Sequence, residues 1–131
     1  MEEVYEFLKK CRMFFIATID GDQPQVRPFS AIDLYEGHLY IQTGYPKKVS
    51  KQIARNPHVA ICAFDGNSWL RISTTLVEDK RLEAKQHVID TNEELQKRGY
   101  TAEGDYTEVL YMTNTTATFA SHDSEPKTLT F

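Results

Sequence analysis

The fold and the candidate site of this protein are most clearly indicated by GHLYIQTGYPKKVSKQIARNPHVAICAF, residues 37–64. This stretch contains no Asp or Glu and carries four basic side chains, whereas the 131-residue chain has a net charge of −4. A basic segment in an acidic chain indicates a local anion site rather than a general surface for polyanions. On charge alone, an equally weighted interpretation is that these side chains only solubilise a surface helix.

The same stretch predicts an order of elements. Alternating apolar residues predict a strand over 38–43. Pro46 then breaks the strand, because proline fixes φ and lacks an N–H donor. A helix is predicted over 47–55, with Lys48, Lys51 and Arg55 on one face. A strand, a tight turn and a basic helix start can offer backbone N–H groups and ammonium groups to a phosphate.

Hairpin signals at Asp20-Gly21 and Asp65-Gly66 recur along the rest of the chain. Further strands are predicted over residues 13–19, 24–35, 58–64, 68–78, 108–112 and 115–121. Pro28 within the second of these indicates a bulge or a sheet edge. The almost wholly apolar segment 58–64 predicts a strand buried on both faces.

Three short helical segments are also predicted. One covers residues 4–11, one is the basic helix, and one follows residue 79, where a capping box at Thr91 and Glu94 restarts the helix. About seven antiparallel strands with flanking short helices predict a mainly β (α+β) fold, closed into a small barrel.

Length and composition predict one domain over residues 1–131. No apolar run reaches the roughly 20 residues that span a bilayer, so no membrane segment is expected. The acidic, amphipathic N-terminus does not resemble a signal peptide. Cys11 and Cys62, without a CxxC motif, predict two reduced, buried thiols in a cytoplasmic protein.

No familiar catalytic or metal-binding motif is present. The four histidines show no ligand spacing, so no metal site is expected. No nucleophile or acid/base pair stands out, and catalytic residues therefore stay unassigned. A protein of this kind borrows its chemistry from a cofactor or performs none.

One constellation combines basic, hydrogen-bonding and aromatic groups on segments that hairpins bring together. Its members are Arg27, Pro28, Phe29, Gln42, Thr43, Lys47, Lys48, Lys51, Trp69 and Arg71. Trp69 and Arg71 share a face because they are two residues apart on a strand. Pattern alone slightly favours the alternative that Trp69 is a core residue and Arg71 an ion-pair partner at the barrel rim.

The order of three segments resembles the pyridoxamine 5'-phosphate oxidase-like FMN-binding split barrels, in particular their short single-domain bacterial members. The segments are FFIATIDGDQPQVRPFSA (14–31), LYIQTGYPKKVSKQIARNPHVAICAF (39–64) and WLRISTTLVED (69–79). The resemblance implies an antiparallel split β-barrel of about six or seven strands. It also implies a homodimer that holds FMN in a cleft between its two subunits.

The resemblance further implies which residues surround the flavin ring. Arg27, Pro28 and Phe29 would line the ring by backbone and side chain. Gln42 and Thr43 would lie beside the ring and the ribityl chain.

Two other groups follow from the same resemblance. Lys47, Lys48 and Lys51 would hold the FMN phosphate. Trp69 and Arg71 would reach the cofactor from the partner chain, so that each cleft draws on both subunits.

The function implied is that of a flavin-dependent oxidoreductase acting on a small molecule, with NADH or NADPH as a candidate electron donor. The vitamin-forming oxidases of the family use a C-terminal substrate-binding extension that is not found before Phe131, and their phosphate motif is rich in arginine. Pyridoxamine 5'-phosphate is therefore not the expected substrate.

Two alternatives remain open. One is a non-enzymatic protein that stores or senses FMN, or that binds heme or a deazaflavin instead. The other, a nucleic-acid module, is the weakest, because the chain is acidic and its basic cluster covers only about two helical turns.

Overall fold

The computed structural model describes residues 1–131 and contains four helices and eight strands. In chain order these are α1 (Glu2–Cys11), β1 (Phe14–Asp20), β2 (Gln23–Phe29), β3 (Ile32–Tyr35), β4 (His38–Gly44), α2 (Lys48–Arg55), β5 (His58–Phe64), β6 (Ser68–Asp79), α3 (Leu82–Asp90), α4 (Glu93–Lys97), β7 (Thr107–Ser121) and β8 (Lys127–Thr130). None of the helices is both long enough and apolar enough to cross a membrane.

All eight strands belong to one sheet, in the order β2-β1-β5-β6-β7-β4-β3, with β8 added to β7 outside this path. Every pairing is antiparallel. The long strand β7 pairs with β4 through its first half and with β8 through its second half. The predicted mainly β (α+β) class is confirmed.

The core lies on one face of this sheet. Leu70, Ile72 and Leu76 alternate inward along β6, as their spacing predicts. Helix α2 covers part of the same cluster with Val49 and Ile53. Because a helix this short is marginal in isolation, it depends on burial worth roughly 1.5–3 kcal/mol per large apolar side chain.

The predicted strand over residues 24–35 is wrong in its length, because the chain leaves β2 after Phe29 and enters β3 at Ile32. The two strands have different partners: β2 pairs with β1 and β3 pairs with β4, at opposite ends of the strand order. The sheet is therefore split between β2 and β3. Pro28 lies on an edge strand, as predicted.

The two strands predicted around Asn114 form a single strand, β7. Asn114 adopts a positive φ of 48°, and the pairing between β6 and β7 shifts register at this point. The strand thus absorbs an irregularity that the sequence suggested was a turn. Strand β8 was not predicted, because residues 122–131 are mostly polar.

The predicted capping box is also wrong. Asn92 precedes α4, and Thr91 instead donates its hydroxyl to the carbonyl of His87 at the end of α3. The side-chain amide of Asn92 donates to the carbonyl oxygens of Val88 and Ile32. This buried asparagine therefore joins α3 and α4 to β3.

Strand β5 is buried on one face only, which corrects the prediction of burial on both faces. Val59, Ile61 and Ala63 point into the core, whereas Cys62 and Phe64 point outward. The prediction of two buried thiols is wrong, because Cys62 is exposed and Cys11 is only half-buried. The sequence pattern misleads here because the outward residues are apolar too.

Candidate functional site

A cavity of about 240 Å³ brings together six of the ten residues predicted for the site. They are Arg27, Pro28, Phe29, Gln42, Thr43 and Lys47. Strands β2 and β4 are far apart in the strand order, yet both line this space. The cavity therefore lies at the split, where the two ends of the sheet face each other.

Lys48 lies next to this cavity rather than in its wall. A second concavity of about 410 Å³ shares Arg27, Lys47 and Val49 with the first and adds Lys48 and Gln52. The shared residues show that the two spaces adjoin at the start of α2. Lys48 can therefore act on a ligand whose end projects from the cavity.

Lys51 lines neither of these spaces. Its ammonium group lies 3.3 Å from the carbonyl oxygen of Pro46. Lys51 is one helical turn beyond Lys47, which is the N-cap residue of α2. Lys51 therefore lies outside the walls of both spaces, with its ammonium group at the turn immediately before Lys47.

Trp69 and Arg71 lie on the outward face of β6, away from the cavity at the split. They line a third concavity of about 670 Å³ that has no lining residue in common with the first. Trp69 is half-buried against His122, with 5.1 Å between ring centroids, and Arg71 is exposed and forms no ion pair. The interpretation as a core tryptophan and a rim ion pair is therefore wrong.

Arg27 is held by a network of neutral groups. Its guanidinium donates to Thr18 Oγ1 and to Gln52 Oε1, each at 2.7 Å, and Thr18 itself donates to Gln52 Oε1 at 2.6 Å. These bonds join β2, β1 and α2. No carboxylate lies within ion-pair distance of the guanidinium, and burial lowers the pKa of Arg27.

A partly buried cation with only neutral partners has lost water without gaining an opposite charge. Arg27 therefore favours an anion at this end of the cavity, since a guanidinium remains charged under all ordinary conditions.

The turn before α2 is fixed from its other side by β6 and β7. The Tyr45 hydroxyl donates to the carboxylate of Glu78. The Ser50 hydroxyl donates to Glu108 Oε1 at 2.5 Å. Both acidic residues thus accept hydrogen bonds from neutral hydroxyls and do not pair with Lys47.

Burial is the main cause that raises the pKa of Glu108, which is 5% exposed, and the nearby charge of Glu78 raises it further. The Ser50 hydrogen bond and the charge of Lys85 oppose this shift. Folding therefore favours the protonated form of Glu108.

Seven lining residues were not predicted from the sequence. Three of them lie far along the chain from the predicted ones: Leu95 in α4, and Arg98 and Tyr100 in the segment that follows it. The other four are Met13, Ser30, Ala31 and Val49. The Tyr100 ring stacks on that of Tyr106, with centroids 5.4 Å apart, and a Cβ at Gly44 would overlap the Tyr106 ring. The available signal was a basic and an aromatic residue two positions apart, Arg98 and Tyr100. No local sequence pattern shows that they lie close to β2 and β4.

The lining as a whole contains three cations, Arg27, Lys47 and Arg98, and no Asp or Glu. Phe29, Tyr100 and other apolar side chains supply the remaining surface. Such a lining suits an anionic ligand with a flat, apolar body. No group of three or more His, Cys, Asp or Glu side chains lies together in a way that could hold a metal ion.

A family model described as pyridoxamine 5'-phosphate oxidase matches residues 1–109. Among solved structures, a NimC/NimA family protein from Clostridium acetobutylicum is 37% identical, with a TM-score of 0.96, over 100% of this chain and 92% of that chain. No curated protein sequence matches significantly.

Two more distant structures show the fold alone. A pyridoxamine 5'-phosphate oxidase-related, FMN binding protein from Nostoc punctiforme is 13% identical, with a TM-score of 0.62, over 98% of this chain and 92% of that chain. A heme binding protein from Mycobacterium smegmatis is 12% identical, with a TM-score of 0.66, over 94% of this chain and 57% of that chain. The split-barrel fold predicted from the sequence is confirmed.

Glu108→Gln should make stability less dependent on pH. A carboxyl group whose pKa is raised in the folded state stabilises the fold fully below its unfolded pKa, and this contribution is lost as pH rises through the folded pKa. Glutamine still accepts the Ser50 hydrogen bond but does not titrate. Urea unfolding of the wild type should therefore show a loss of stability above the ordinary Glu pKa of 4.5 that is smaller in the variant.

Glu103→Gln is the matched control, since Glu103 is exposed and its side chain forms no ion pair. An identical pH dependence for the wild type and Glu108→Gln would show that the buried carboxyl does not titrate differently on folding.

Proposed function

Since the chain belongs to the pyridoxamine 5'-phosphate oxidase-like family, we propose that it binds FMN at the split and acts as a flavin-dependent oxidoreductase on a small molecule. The observation that carries this proposal is the cationic cavity, which contains Arg27 and Lys47 without any acidic side chain. The related FMN binding protein from Nostoc punctiforme supports the choice of cofactor.

The phosphate is best accommodated at the start of α2. Lys47 and Lys48 supply two ammonium groups there, and the first N–H groups of a helix have no acceptor within the helix. Arg27 adds a third charge where the two concavities adjoin. A phosphate dianion would provide the opposite charge that Arg27 lacks.

The remaining lining suits the rest of the cofactor. Pro28 and Phe29 provide an apolar wall, and Gln42 and Thr43 provide polar groups on the opposite strand, β4. In the proposed mechanism these residues orient the ring and exclude water from it. FMN, when bound, supplies the redox chemistry.

At about 240 Å³ the cavity alone is smaller than ligand pockets usually are, about 300–1,000 Å³, so FMN would extend beyond it. The outward face of the sheet is apolar as well: Phe15, Val26 and Phe64 are 46%, 66% and 60% exposed. An apolar face of this kind marks a protein interface. We therefore propose a homodimer in which this face is covered.

A two-fold symmetric dimer would bring the outward residues of β6 to the cavity of the other chain. Trp69 and Arg71 of the partner subunit would then complete the FMN site. This arrangement accounts for two separate concavities, one with Arg27 and one with Arg71, on a chain that binds a single kind of cofactor.

Binding of FMN without turnover, as a store or sensor, is the second candidate. It is favoured by the lining residues, which can bind and orient a flavin but include no carboxylate or imidazole for proton transfer.

The purified protein mixed with FMN should show a perturbed flavin absorption spectrum and retain FMN through gel filtration. If the protein is an oxidoreductase, the FMN-loaded protein should also oxidise NADH or NADPH at steady state when an electron acceptor is present. A heme spectrum in place of a flavin spectrum, or no retained chromophore, would contradict the FMN proposal. Retained FMN without turnover with any donor would favour the store or sensor.

Replacement of both Lys47 and Lys48 by alanine should weaken the binding of FMN far more than the binding of riboflavin, because only FMN carries the phosphate. Each charge-assisted contact contributes roughly 1.5–3 kcal/mol, so a loss of about tenfold or more per contact is expected in a fluorescence titration. Lys51→Ala is the control, since Lys51 lines neither concavity, and it should leave both affinities nearly unchanged. Equal weakening of FMN and riboflavin by the double variant would show that the lysines act through folding.

A further inference from the structure

We propose that Arg98 and Tyr100 form the subsite for the small molecule that reacts at the flavin, and that this molecule carries a single carboxylate or a similar oxyanion. The inference rests on the proposed function, because it assumes that FMN occupies the end of the cavity near Lys47. It adds the chemical class of the reacting molecule and two residues that recognise it.

The position of Arg98 separates it from the phosphate end. The concavity that contains Lys48 shares Arg27 and Lys47 with the cavity but contains neither Arg98 nor Tyr100. Arg98 therefore lies toward the far end, with Leu95 of α4. Leu95 packs in one buried cluster with Ala31, which follows β2.

The length of this cavity can be bounded from the backbone. Arg27 and Ala31 are four residues apart along a mostly extended segment, which spans at most about 14 Å. Both residues line the cavity, one at its junction with the Lys48 concavity and one near α4. Arg27 thus lies at the end that adjoins the Lys48 concavity, whereas Arg98 lies at the end near α4.

The subsite is supported by a rigid frame. The Asn92 amide lies 3.2 Å from the Ile32 carbonyl oxygen, and its oxygen accepts from the Ile32 N–H at 3.3 Å. These bonds fix the start of α4 to β3. The Tyr100 N–H donates to the Leu95 carbonyl oxygen at 3.1 Å, which closes the segment after the helix. The subsite therefore does not need to form when the ligand arrives.

Arg98 has a free charge. Its guanidinium takes part in no ion pair and no side-chain hydrogen bond, whereas the adjacent Lys97 lies 3.9 Å from Glu93. A guanidinium matches a carboxylate with two parallel hydrogen bonds. Arg98 is exposed and supplies one positive charge, which matches the single charge of a carboxylate.

Tyr100 contributes a second recognition element. Its ring is held by the stack on Tyr106, at an interplanar angle of 15°, and forms part of the cavity wall. An aromatic wall beside a guanidinium favours a flat organic acid over a small inorganic anion.

The test uses the FMN-loaded protein and two probes of one shape, benzoate and its neutral analogue benzamide. Binding is followed through the flavin absorption spectrum at neutral pH, where benzoate is ionised. The wild type should bind benzoate about tenfold or more tightly than benzamide, because the carboxylate gains a charge-assisted pair with Arg98. Arg98→Gln should abolish this preference, and Arg98→Lys should restore part of it.

Lys97→Gln is the matched control, since it removes the neighbouring cation, which does not line the cavity, and should leave the preference intact. FMN and riboflavin affinities of Arg98→Gln should equal those of the wild type. The Lys97→Gln control excludes a general effect of surface charge. The flavin affinities of Arg98→Gln exclude a direct contact between Arg98 and the flavin.

Three results would overturn the inference. Equal affinities of the wild type for benzoate and benzamide would remove the anion subsite while leaving FMN binding in place. Weaker binding of both FMN and riboflavin by Arg98→Gln would assign Arg98 to the flavin. A wild type that binds no FMN would overturn the proposed function and this inference together.

Discussion

The site depends on the hydrogen bonds that join the Arg27 guanidinium to Thr18 and Gln52. They join the helix α2 to the paired strands β1 and β2, and so fix one wall of the split. They also keep a charge in a partly buried place without a counter-ion, which costs stability. In our account the bound phosphate supplies the missing negative charge. The site attracts an anion because the Arg27 guanidinium is destabilised while it lacks a counter-ion.

Two carboxylates beside the turn before α2 are bound to neutral groups rather than to Lys47. Glu78 and Glu108 accept hydrogen bonds from Tyr45 and Ser50, and the buried position of Glu108 raises its pKa. The two acids thus position the turn and the helix start while leaving Lys47 without an acidic partner. Because these acids bind hydroxyl groups and not lysines, they support the fold without neutralising the cations that would bind the ligand.

Much of the fold could be predicted from the sequence, because alternation along β6 and the apolar stripe of Val49 and Ile53 on α2 are local signals of burial. The family could be predicted because its segments occur in order over most of the chain. The break between β2 and β3 could not, since both halves are extended and only their different partners separate them.

The missing parts of the site have a similar explanation. Arg98 reaches the cavity only because Asn92 binds Ile32, which is 60 residues away, and no local pattern reports such a contact. The outward face of β5 was mistaken for a second buried face, because exposed residues on it such as Cys62 and Phe64 are apolar too. The first error concerns a contact between distant segments, and the second concerns apolar residues that the fold of one chain leaves exposed.

The central claim is that each FMN site combines α2 of one chain with β6 of the other, and hybrid dimers test it most directly. One variant carries Lys47→Ala and Lys48→Ala, and the other carries Trp69→Ala and Arg71→Ala. Neither homodimer should retain FMN, but refolding an equal mixture should restore about a quarter of the sites, because each hybrid dimer contains one site with both halves intact. A mixture that retains no more FMN than the separate variants would contradict the shared site.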